Sequence, residues 1–417
     1  MQISLIEFSV ENFKIFKNRT TFSMLSRKND EHTFESNSEN ILKTSFIYGP
    51  NASGKTSLLD AFQVIKEGIL FSSNIPTDKD QSLSYYLPFL ASDDSKNKPV
   101  FFEVVFSLEN SQNDGIYRYN FSFLKNHIVS ESLSEVISKG NEKEYFSRKE
   151  QEIVIKDKSL KSIEDIVSRT RKESLFLTMA AINNNLIALN ILNAFKDINV
   201  ISGVTNLMYQ EFTIKKFKED PNYKEKILKY LEKADFCISG GSTEEIDVQG
   251  INLMSDTGKF SVAQNNKKGD MLFLEHPIYN VDNEEINTFK LSLFDESMGT
   301  QKFLSILGPI IDTINDGKVL FVDEFDNSLH PLLTKFIVDL FESNEINKNN
   351  AQLIVTTHDT SLLAYKDEYL KDQFWFTEKN EFGVAKLFSL ADFKMRNDTE
   401  FSKKYLEGRF GALPFIG

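Results

Sequence analysis

The chain has 417 residues, which is enough for two or three domains or for one large core with an inserted lobe. With 41% hydrophobic and 26% charged residues it is typical of a globular protein, and no run approaches the roughly 20 apolar residues of a membrane-spanning helix. Its net charge of −13 argues against a protein that coats DNA with a basic surface, and its single cysteine excludes an internal disulfide framework. The N-terminus has no basic leader followed by an apolar block, so we expect a cytoplasmic protein.

The N-terminal part of the chain predicts strands followed by a strand–loop–helix unit. Residues 2–10 and 20–25 have the alternating apolar pattern of strands. A short apolar run at 44–48 leads into a glycine-rich loop, and residues 57–62 leave that loop with helical spacing. This order of elements is the context in which a phosphate-binding loop works.

The middle of the chain changes character twice. Residues 100–155 alternate as strands separated by Asn, Asp and Gly turns, whereas residues 160–235 follow a helical period. Residues 238–290 return to short strands, with a turn predicted at Gly240-Gly241. We therefore expect an N-terminal antiparallel β lobe and an inserted helical lobe.

Apolar strands alternate with helices in the C-terminal part. Helices are predicted at 301–314 and 331–341, and strands at 318–322, 351–356 and 373–376. Continuous apolar strands separated by helices are typical of a largely parallel sheet. The strand before the glycine-rich loop would join this sheet, so the α/β fold would be assembled from distant parts of the sequence.

The glycine-rich loop reads YGPNASGKT and fits the phosphate-binding pattern G-x-x-x-x-G-K-[ST]. Small residues let backbone N–H groups surround phosphates at the start of a helix. Lys55 would reach the β- and γ-phosphates of ATP, and the Thr56 hydroxyl would bind Mg²⁺. The candidate nucleotide-binding residues of this segment are Gly49, Pro50, Asn51, Ala52, Ser53, Gly54, Lys55, Thr56 and Ser57.

Two carboxylates and a histidine follow predicted strands of the same sheet. Asp323 would hold Mg²⁺ opposite Thr56, and Glu324 at the strand tip would orient or deprotonate an attacking water. His358 follows the strand at 351–356 and would lie at the same carboxyl edge, where open α/β folds bind ligands. A neutral imidazole there would contact the γ-phosphate. We therefore take Glu324, His358 and Lys55 as catalytic candidates, and Thr56 and Asp323 as metal ligands.

A fourth segment, Ser297-Met298-Gly299, directly precedes a predicted helix. The Ser297 hydroxyl and the Gly299 N–H would form another anion-binding helix start. An ordinary N-cap explains the same residues nearly as well. Position favours the first interpretation, because the segment lies one helix ahead of the acidic strand.

Together these motifs resemble those of the ABC-type ATPase heads of the SMC and RecF proteins. The loop and the acidic pair are similar to Walker A and Walker B, and His358 to the switch histidine. Ser297-Met298-Gly299 is similar to the signature motif, although Met298 stands where glycine is common, and Asp326 begins a segment similar to the D-loop. Heads of that superfamily dimerise head to tail, which implies that Ser297 and Gly299 complete the ATP site of another copy. Gln81 is a candidate for the Q-loop.

Three further segments resemble one bacterial group and extend the resemblance over nearly the whole chain. They are residues 12–14, Leu87-Pro88-Phe89 with the runs FFEVVFSL and YRYNFSF that follow it, and residues 405–414. The group is the stand-alone AAA-type, ABC-like ATPases of phage-defence operons: the AbiL and RloA proteins and the ATPase subunit of the PARIS system. This resemblance implies a homodimeric or higher homo-oligomeric ATPase that senses a phage protein and controls a separately encoded nuclease of the TOPRIM type. It implies no membrane partner.

The fold class that follows is α/β: a P-loop NTPase of the ABC-type ATPase head, with a mixed or parallel sheet and the two lobes named above. The predicted parts are 1–160 with the P-loop and β lobe, 161–237 as the helical insertion, and 238–417 with the signature, Walker B and switch histidine. Two alternatives stay open. One is a RecF- or SMC-like repair ATPase that binds DNA directly, and the other, disfavoured by the large insertion, is a transporter ATPase subunit.

Overall fold

The structure is a computed structural model that describes residues 1–74, 86–110, 112–203, 207–234, 236–256, 259–365, 368–393 and 401–407. Gln81, and residues 408–414 of the C-terminal motif, lie outside the described residues. No helix in the described part of the chain is long and apolar enough to cross a membrane.

The elements up to residue 203 are, in chain order, β1 (Gln2–Glu11), β2 (Thr20–Ser23), β3 (Thr33–Ser36), β4 (Glu39–Leu42), β5 (Thr44–Tyr48), α1 (Lys55–Phe71), β6 (Val100–Glu109), β7 (Gly115–Leu124), β8 (His127–Ser138), β9 (Asn141–Lys149), β10 (Glu152–Ile155), α2 (Phe176–Ile182), α3 (Leu186–Lys196) and β11 (Ile198–Ser202). Short 3₁₀ helices lie at Ser72–Asn74 and Lys158–Arg169.

The later elements are α4 (Leu207–Glu219), α5 (Pro221–Lys233), β12 (Gly240–Asp256), β13 (Lys259–Tyr279), β14 (Glu285–Ser292), α6 (Met298–Asp316), β15 (Val319–Asp323), α7 (Pro331–Glu342), β16 (Gln352–Thr356), α8 (Ser361–Ala364), β17 (Phe374–Lys379), β18 (Ala385–Ser389) and α9 (Phe401–Leu406). Further 3₁₀ turns lie at Leu293–Asp295, Lys371–Gln373 and Leu390–Asp392.

The chain forms two compact units. The first comprises Met1–Gly203, Thr313–Asp326 and Ile337–Gly417, and the second comprises Val204–Asp312 and Asn327–Phe336. Each unit is therefore assembled from separated stretches of sequence. The three-part division drawn from sequence texture stays a prediction.

A six-stranded sheet forms one layer of the first unit, in the order β11-β15-β16-β5-β17-β18. All neighbouring pairs are parallel except β17 and β18, which are antiparallel. Strands β5 and β16 are buried at every residue, as expected for central strands covered on both faces. The expectation that the strand before the glycine-rich loop joins a mixed α/β sheet is confirmed. The carboxyl ends of β5, β15 and β16 consequently lie at one edge.

The sequence prediction was wrong about one strand of this sheet. Residues 198–202 fall within the block predicted to be helical, but they form β11 and pair in parallel with β15, from Ile198 opposite Val319 to Ser202 opposite Asp323. The run is short and rich in Ile and Val, which fit a pleated surface better than a helix. Neighbouring helical periodicity concealed it.

A seven-stranded antiparallel sheet, in the order β10-β9-β8-β7-β6-β1-β2, accounts for the predicted β lobe. Helix α1 packs between this sheet and the parallel sheet. Phe62 of α1 stacks on Phe321 of β15 with ring centroids 4.4 Å apart, and meets Phe8 of β1 edge-on at 5.3 Å. These three fully buried rings fix the helix that leaves the glycine-rich loop.

A buried carboxylate of the β lobe contacts the start of α2. The Glu131 carboxylate accepts hydrogen bonds from the backbone N–H groups of Phe176 and Leu177, at 2.8 and 2.9 Å, and so caps the start of the helix. Arg148 lies 3.7 Å from the same carboxylate, and both side chains are completely buried. Because burial of a charge without partners is costly, this pair and its hydrogen bonds specify where the helix docks.

The second unit contains a separate sheet of β12, β13 and β14, together with α4, α5 and the greater part of α6. The short strands predicted for residues 238–290 are wrong in length, since β12 and β13 form one long hairpin. The predicted turn at Gly240-Gly241 is also wrong, because these residues begin β12. A Cβ on Gly240 would lie 2.6 Å from Oε2 of Glu275, the residue opposite it in β13.

A proline within α6 explains a contact between two helices of this unit. Pro309 has no N–H to donate to the carbonyl of Ser305. The Thr213 hydroxyl of α4 lies 3.0 Å from that carbonyl and 2.9 Å from the Tyr209 carbonyl of its own helix, so its one proton is shared between the two acceptors. The same hydroxyl accepts the Gly308 N–H at 3.2 Å. The threonine therefore links α4 to the backbone of α6 next to the proline.

Candidate nucleotide site

The glycine-rich loop joins the end of β5 to the start of α1. Gly49 is buried, and a Cβ there would lie only 2.2 Å from Thr377 Oγ1 and 2.5 Å from Ser53 Oγ. Gly54 has φ +123°, a conformation that side chains rarely adopt. Both glycines of the motif are therefore required by the geometry of the loop itself.

Strand β17 supports the loop from behind. The Thr377 hydroxyl lies 2.6 Å from Ser53 Oγ and donates to the Tyr48 carbonyl at 3.2 Å. Ser53 is buried, while Asn51 and Ala52 are exposed and Pro50 is half-buried. The loop thus has a rigid base and an accessible rim.

The start of α1 has the features of an anion site. Within the described residues no side chain caps this helix start and no acidic residue occupies its first turn, which contains Lys55, Thr56 and Ser57. Unsatisfied N–H groups and the helix dipole favour a negative group there. The residues present therefore fit a nucleotide phosphate.

Lys55 is buried, and its ammonium donates to the carbonyls of Gly49 and Pro50 at 2.7 and 3.3 Å. Burial lowers the pKa of Lys55 to about 8, against the opposing attraction of Asp323, Asp326 and Glu324. The negative charge of a bound phosphate would raise the pKa of Lys55 again.

The hydroxyl of Thr56 donates to Asp323 Oδ2 at 2.8 Å. The two residues are 267 positions apart in the sequence and are brought together by the sheet order. The other carboxylate oxygen, Oδ1, accepts the Thr356 hydroxyl at 2.5 Å. A hydroxyl and a carboxylate at this separation are ligands of the kind that Mg²⁺ takes beside phosphates.

Glu324 follows β15 in a left-handed backbone conformation, with φ +51°. Its N–H donates to Thr356 Oγ1 at 2.8 Å. A Cβ on Gly203, the residue after β11, would lie 2.1 Å from the Glu324 carbonyl oxygen. The ends of the two strands that flank β15 therefore restrict the backbone conformation of Glu324.

His358 lies just beyond β16, as predicted. Its backbone N–H donates to the Asp326 carboxylate at 3.2 Å, which links the histidine to the loop after the acidic pair. The pKa of His358 is lowered by desolvation and by the Lys55 ammonium, although Asp326, Glu324 and Asp323 oppose this shift. The imidazole is therefore neutral near pH 7 even though the residue is exposed.

The signature-like segment lies in the second unit. Ser297 is exposed, and its hydroxyl accepts the Thr300 N–H at 3.1 Å, so it caps α6. A Cβ on Gly299 would lie 3.5 Å from the Ser328 carbonyl oxygen, and Met298 is 74% exposed. The N-cap interpretation therefore describes a contact that is present, and the capping residue is exposed.

A scan against protein families matches residues 45–177 and 214–364, more than half of the chain, to the family described as "AAA domain, putative AbiEii toxin, Type IV TA system". The chain belongs to this family. The match covers the glycine-rich loop, the acidic pair and His358. Membership supports the AAA-type, defence-related part of the resemblance found in the sequence.

No curated protein matches the chain. Among solved structures, the SMC head domain from Thermotoga maritima is similar, with 14% sequence identity, a TM-score of 0.40, and coverage of 93% of this chain and 99% of that chain. The strand order and registers of this chain define its fold.

Sequence reasoning missed three residues of the site: Gly203, Thr356 and Thr377. Thr356 directly precedes the Thr357-His358 pair at the end of a predicted strand, so its position was available as a signal. Gly203 ends the unrecognised β11, and Thr377 follows the predicted strand at 373–376. None of the three belongs to a short motif. Their contacts depend on which strands are adjacent in the sheet.

Proposed function

We propose that this chain hydrolyses ATP at composite sites formed between copies of itself. We propose further that it uses this reaction, in the cytoplasm, to sense phage infection and to control a separate effector nuclease. The observation that supports the first part best is the 2.8 Å hydrogen bond between Thr56 and Asp323. It joins the phosphate-binding loop to the acidic strand, and both halves are needed for phosphoryl transfer.

In this proposal the backbone of the loop, Lys55 and Ser57 bind the phosphates of ATP. Thr56 and Asp323 would hold Mg²⁺, which supplies positive charge to the β- and γ-phosphates when it is bound. Glu324 accepts a proton from the attacking water, and neutral His358 contacts the γ-phosphate. The left-handed backbone at Glu324 aims the acid without a rearrangement during the reaction.

The composite site rests on the exposed start of α6. Ser297 and Gly299 of one copy would contact the γ-phosphate held by another, with the Asp326 segment at the same interface. The exposed Ser297 and Met298 support this arrangement, since neither is buried within its own unit. Assembly of two or more copies would then be coupled to ATP occupancy.

Control of an effector is supported by the family. Its description names a putative AbiEii toxin and a type IV TA system, which supports a toxin–antitoxin context for this chain. The assignment of the toxic activity to a separate partner is part of the proposal. The expected partner is a separately encoded TOPRIM-type nuclease, and a phage protein is the expected trigger. Direct DNA binding is less well supported. The net charge is −13, and the ammonium groups of Lys216 and Lys218 lie 4.0 and 2.6 Å from Asp312 and Asp270.

Glu324→Gln tests the catalytic part. The variant should lose ATP turnover by about 10²-fold or more, because removal of a general base typically has that effect. It should still bind ATP and accumulate as an ATP-dependent dimer in size-exclusion chromatography with light scattering. Glu345→Gln, at an exposed residue after α7, is the matched control and should behave like the parent. Parental turnover in Glu324→Gln would refute the assignment of the base.

A second experiment tests the role. The chain is co-expressed with the reading frames that flank its gene and purified with and without ATP. Retention of a small nuclease that changes with the nucleotide supports the effector proposal. Tight duplex-DNA binding that weakens steeply between about 50 and 200 mM salt would instead favour a repair ATPase.

A further inference from the structure

One hydroxyl contacts both acids of the candidate site. Thr356, the last residue of β16, is completely buried. Its Oγ1 lies 2.5 Å from Asp323 Oδ1 and 2.8 Å from the backbone nitrogen of Glu324. Strand β16 lies between β15 and β5 in the sheet, so Thr356 occupies the gap between the acidic strand and the phosphate-binding strand.

The direction of both hydrogen bonds is determined by chemistry. The Glu324 N–H can only donate, so Thr356 Oγ1 accepts it. The single proton of the hydroxyl is then directed to Asp323 Oδ1. Because Oδ1 is occupied in this way, Oδ2 is the oxygen that faces Thr56. The threonine therefore selects one orientation of the carboxylate.

The bond to Glu324 acts on a strained position. A residue other than glycine in the left-handed region costs about 1 kcal/mol or more, and it persists only where surrounding contacts hold it. At Glu324 these contacts are the N–H bond to Thr356 and the close approach of Gly203. Loss of the Thr356 hydroxyl removes the hydrogen bond and leaves only the backbone approach of Gly203.

We propose that Thr356 is a positioning residue for hydrolysis, which orients the Asp323 carboxylate toward the metal and holds the Glu324 backbone in its left-handed conformation. The inference rests on the proposed ATPase function. It predicts that loss of the Thr356 hydroxyl lowers metal affinity and kcat. Nucleotide affinity without metal depends on the phosphate-binding loop and should change little in such a variant.

The test compares Thr356→Val, which keeps the shape but loses the hydroxyl, with Thr356→Ser, which keeps the hydroxyl. Thr178→Val is the control for loss of a buried threonine hydroxyl elsewhere in the same unit, because Thr178 is also buried and donates to the Ile69 carbonyl at 2.9 Å. Three quantities are measured: kcat for ATP, the affinity for Mn²⁺ in the presence of a non-hydrolysable ATP analogue, and the affinity for that analogue in EDTA.

Thr356→Val should lower kcat by about 10²-fold, as a misplaced catalytic group does, and should weaken Mn²⁺ binding at least about tenfold. Its analogue affinity in EDTA should stay within about threefold of the parent, and Thr356→Ser should recover most of both losses. Thr178→Val should leave all three quantities near their parental values.

Two results would overturn the proposal. One is parental Mn²⁺ affinity in Thr356→Val, and the other is an equal loss of metal-dependent and metal-free nucleotide binding, which would show a purely structural role. The Mn²⁺ measurement does not require turnover. A parent that binds Mn²⁺ more tightly than Thr356→Val but never hydrolyses ATP would refute the ATPase function and leave the orientation of Asp323 supported.

Discussion

Replacement of Gly203 by alanine is a direct test of how the tip of β11 determines the site. A Cβ on Gly203 would lie 2.1 Å from the Glu324 carbonyl oxygen and 2.6 Å from that of Asp323. Both are backbone atoms, so no side-chain rotation relieves the contact. The Gly203 N–H also donates to the Asp323 carbonyl at 2.5 Å, which ties the two strands closely at this point.

The size of the effect follows from these distances. Ordinary contacts need roughly 3.5 Å, so β11 or the Glu324 backbone must move by about 1.4 Å to relieve the 2.1 Å contact. A displacement of about 1 Å in a catalytic group lowers the rate by roughly 10²-fold, equivalent to about 2.7 kcal/mol of transition-state stabilisation. Overpacking should in addition lower the stability by about 1–3 kcal/mol.

ATP affinity should change little in Gly203→Ala. Strands β15 and β16 separate β11 from β5 in the sheet, which places the phosphate-binding strand about 14 Å away. The assay is steady-state ATP hydrolysis with a parallel measurement of nucleotide binding and of the thermal unfolding midpoint. Gly115→Ala is the control, because its nearest atom is a Glu135 side-chain oxygen at 3.4 Å. Gly203→Ala with turnover within about twofold of the parent would refute the reasoning.

Three further predictions concern other residues. Because the pKa of Lys55 is about 8 and ATP binds better to the charged ammonium, ATP binding is coupled to proton uptake above pH 8. The ATP dissociation constant should be constant below pH 8 and rise toward about tenfold per pH unit above it. A dissociation constant that stays unchanged to about pH 9.5 would contradict this. Thr213→Val should lower the free energy of unfolding by about 1–3 kcal/mol, since the Gly308 N–H loses its acceptor and the Ser305 carbonyl loses a shared donor. Thr213→Ser keeps the hydroxyl and should not lower it, and chemical denaturation of both variants is the measurement. Ser297→Arg in a Glu324→Gln background should abolish ATP-dependent dimers but keep ATP binding; loss of binding as well would show that Ser297 is only a helix cap.

Local sequence patterns were sufficient to predict the elements that carry the motifs. The loop, its flanking strand and helix, and the apolar strands before Asp323 and His358 are each encoded within about ten residues, because hydrophobic periodicity and glycine placement act locally. Parallel strands end at a common edge, so the sequence also predicted that these residues lie together. The geometry shows Thr56 and Asp323 in contact, while their roles in catalysis stay predictions.

Other features depended on which strands become neighbours. A five-residue strand such as β11 has too short a pattern to be separated from the helices around it, and its assignment depends on pairing with β15. The importance of Gly203 follows from that pairing, and the importance of Thr356 follows from the pairing of β16 with β15, since each residue contacts Glu324 from a neighbouring strand. The sequence by itself determined which residues carry charge and which loop can surround a phosphate. The tertiary structure decided their orientation, because the contacts that hold Asp323 and Glu324 come from strands far away in the chain.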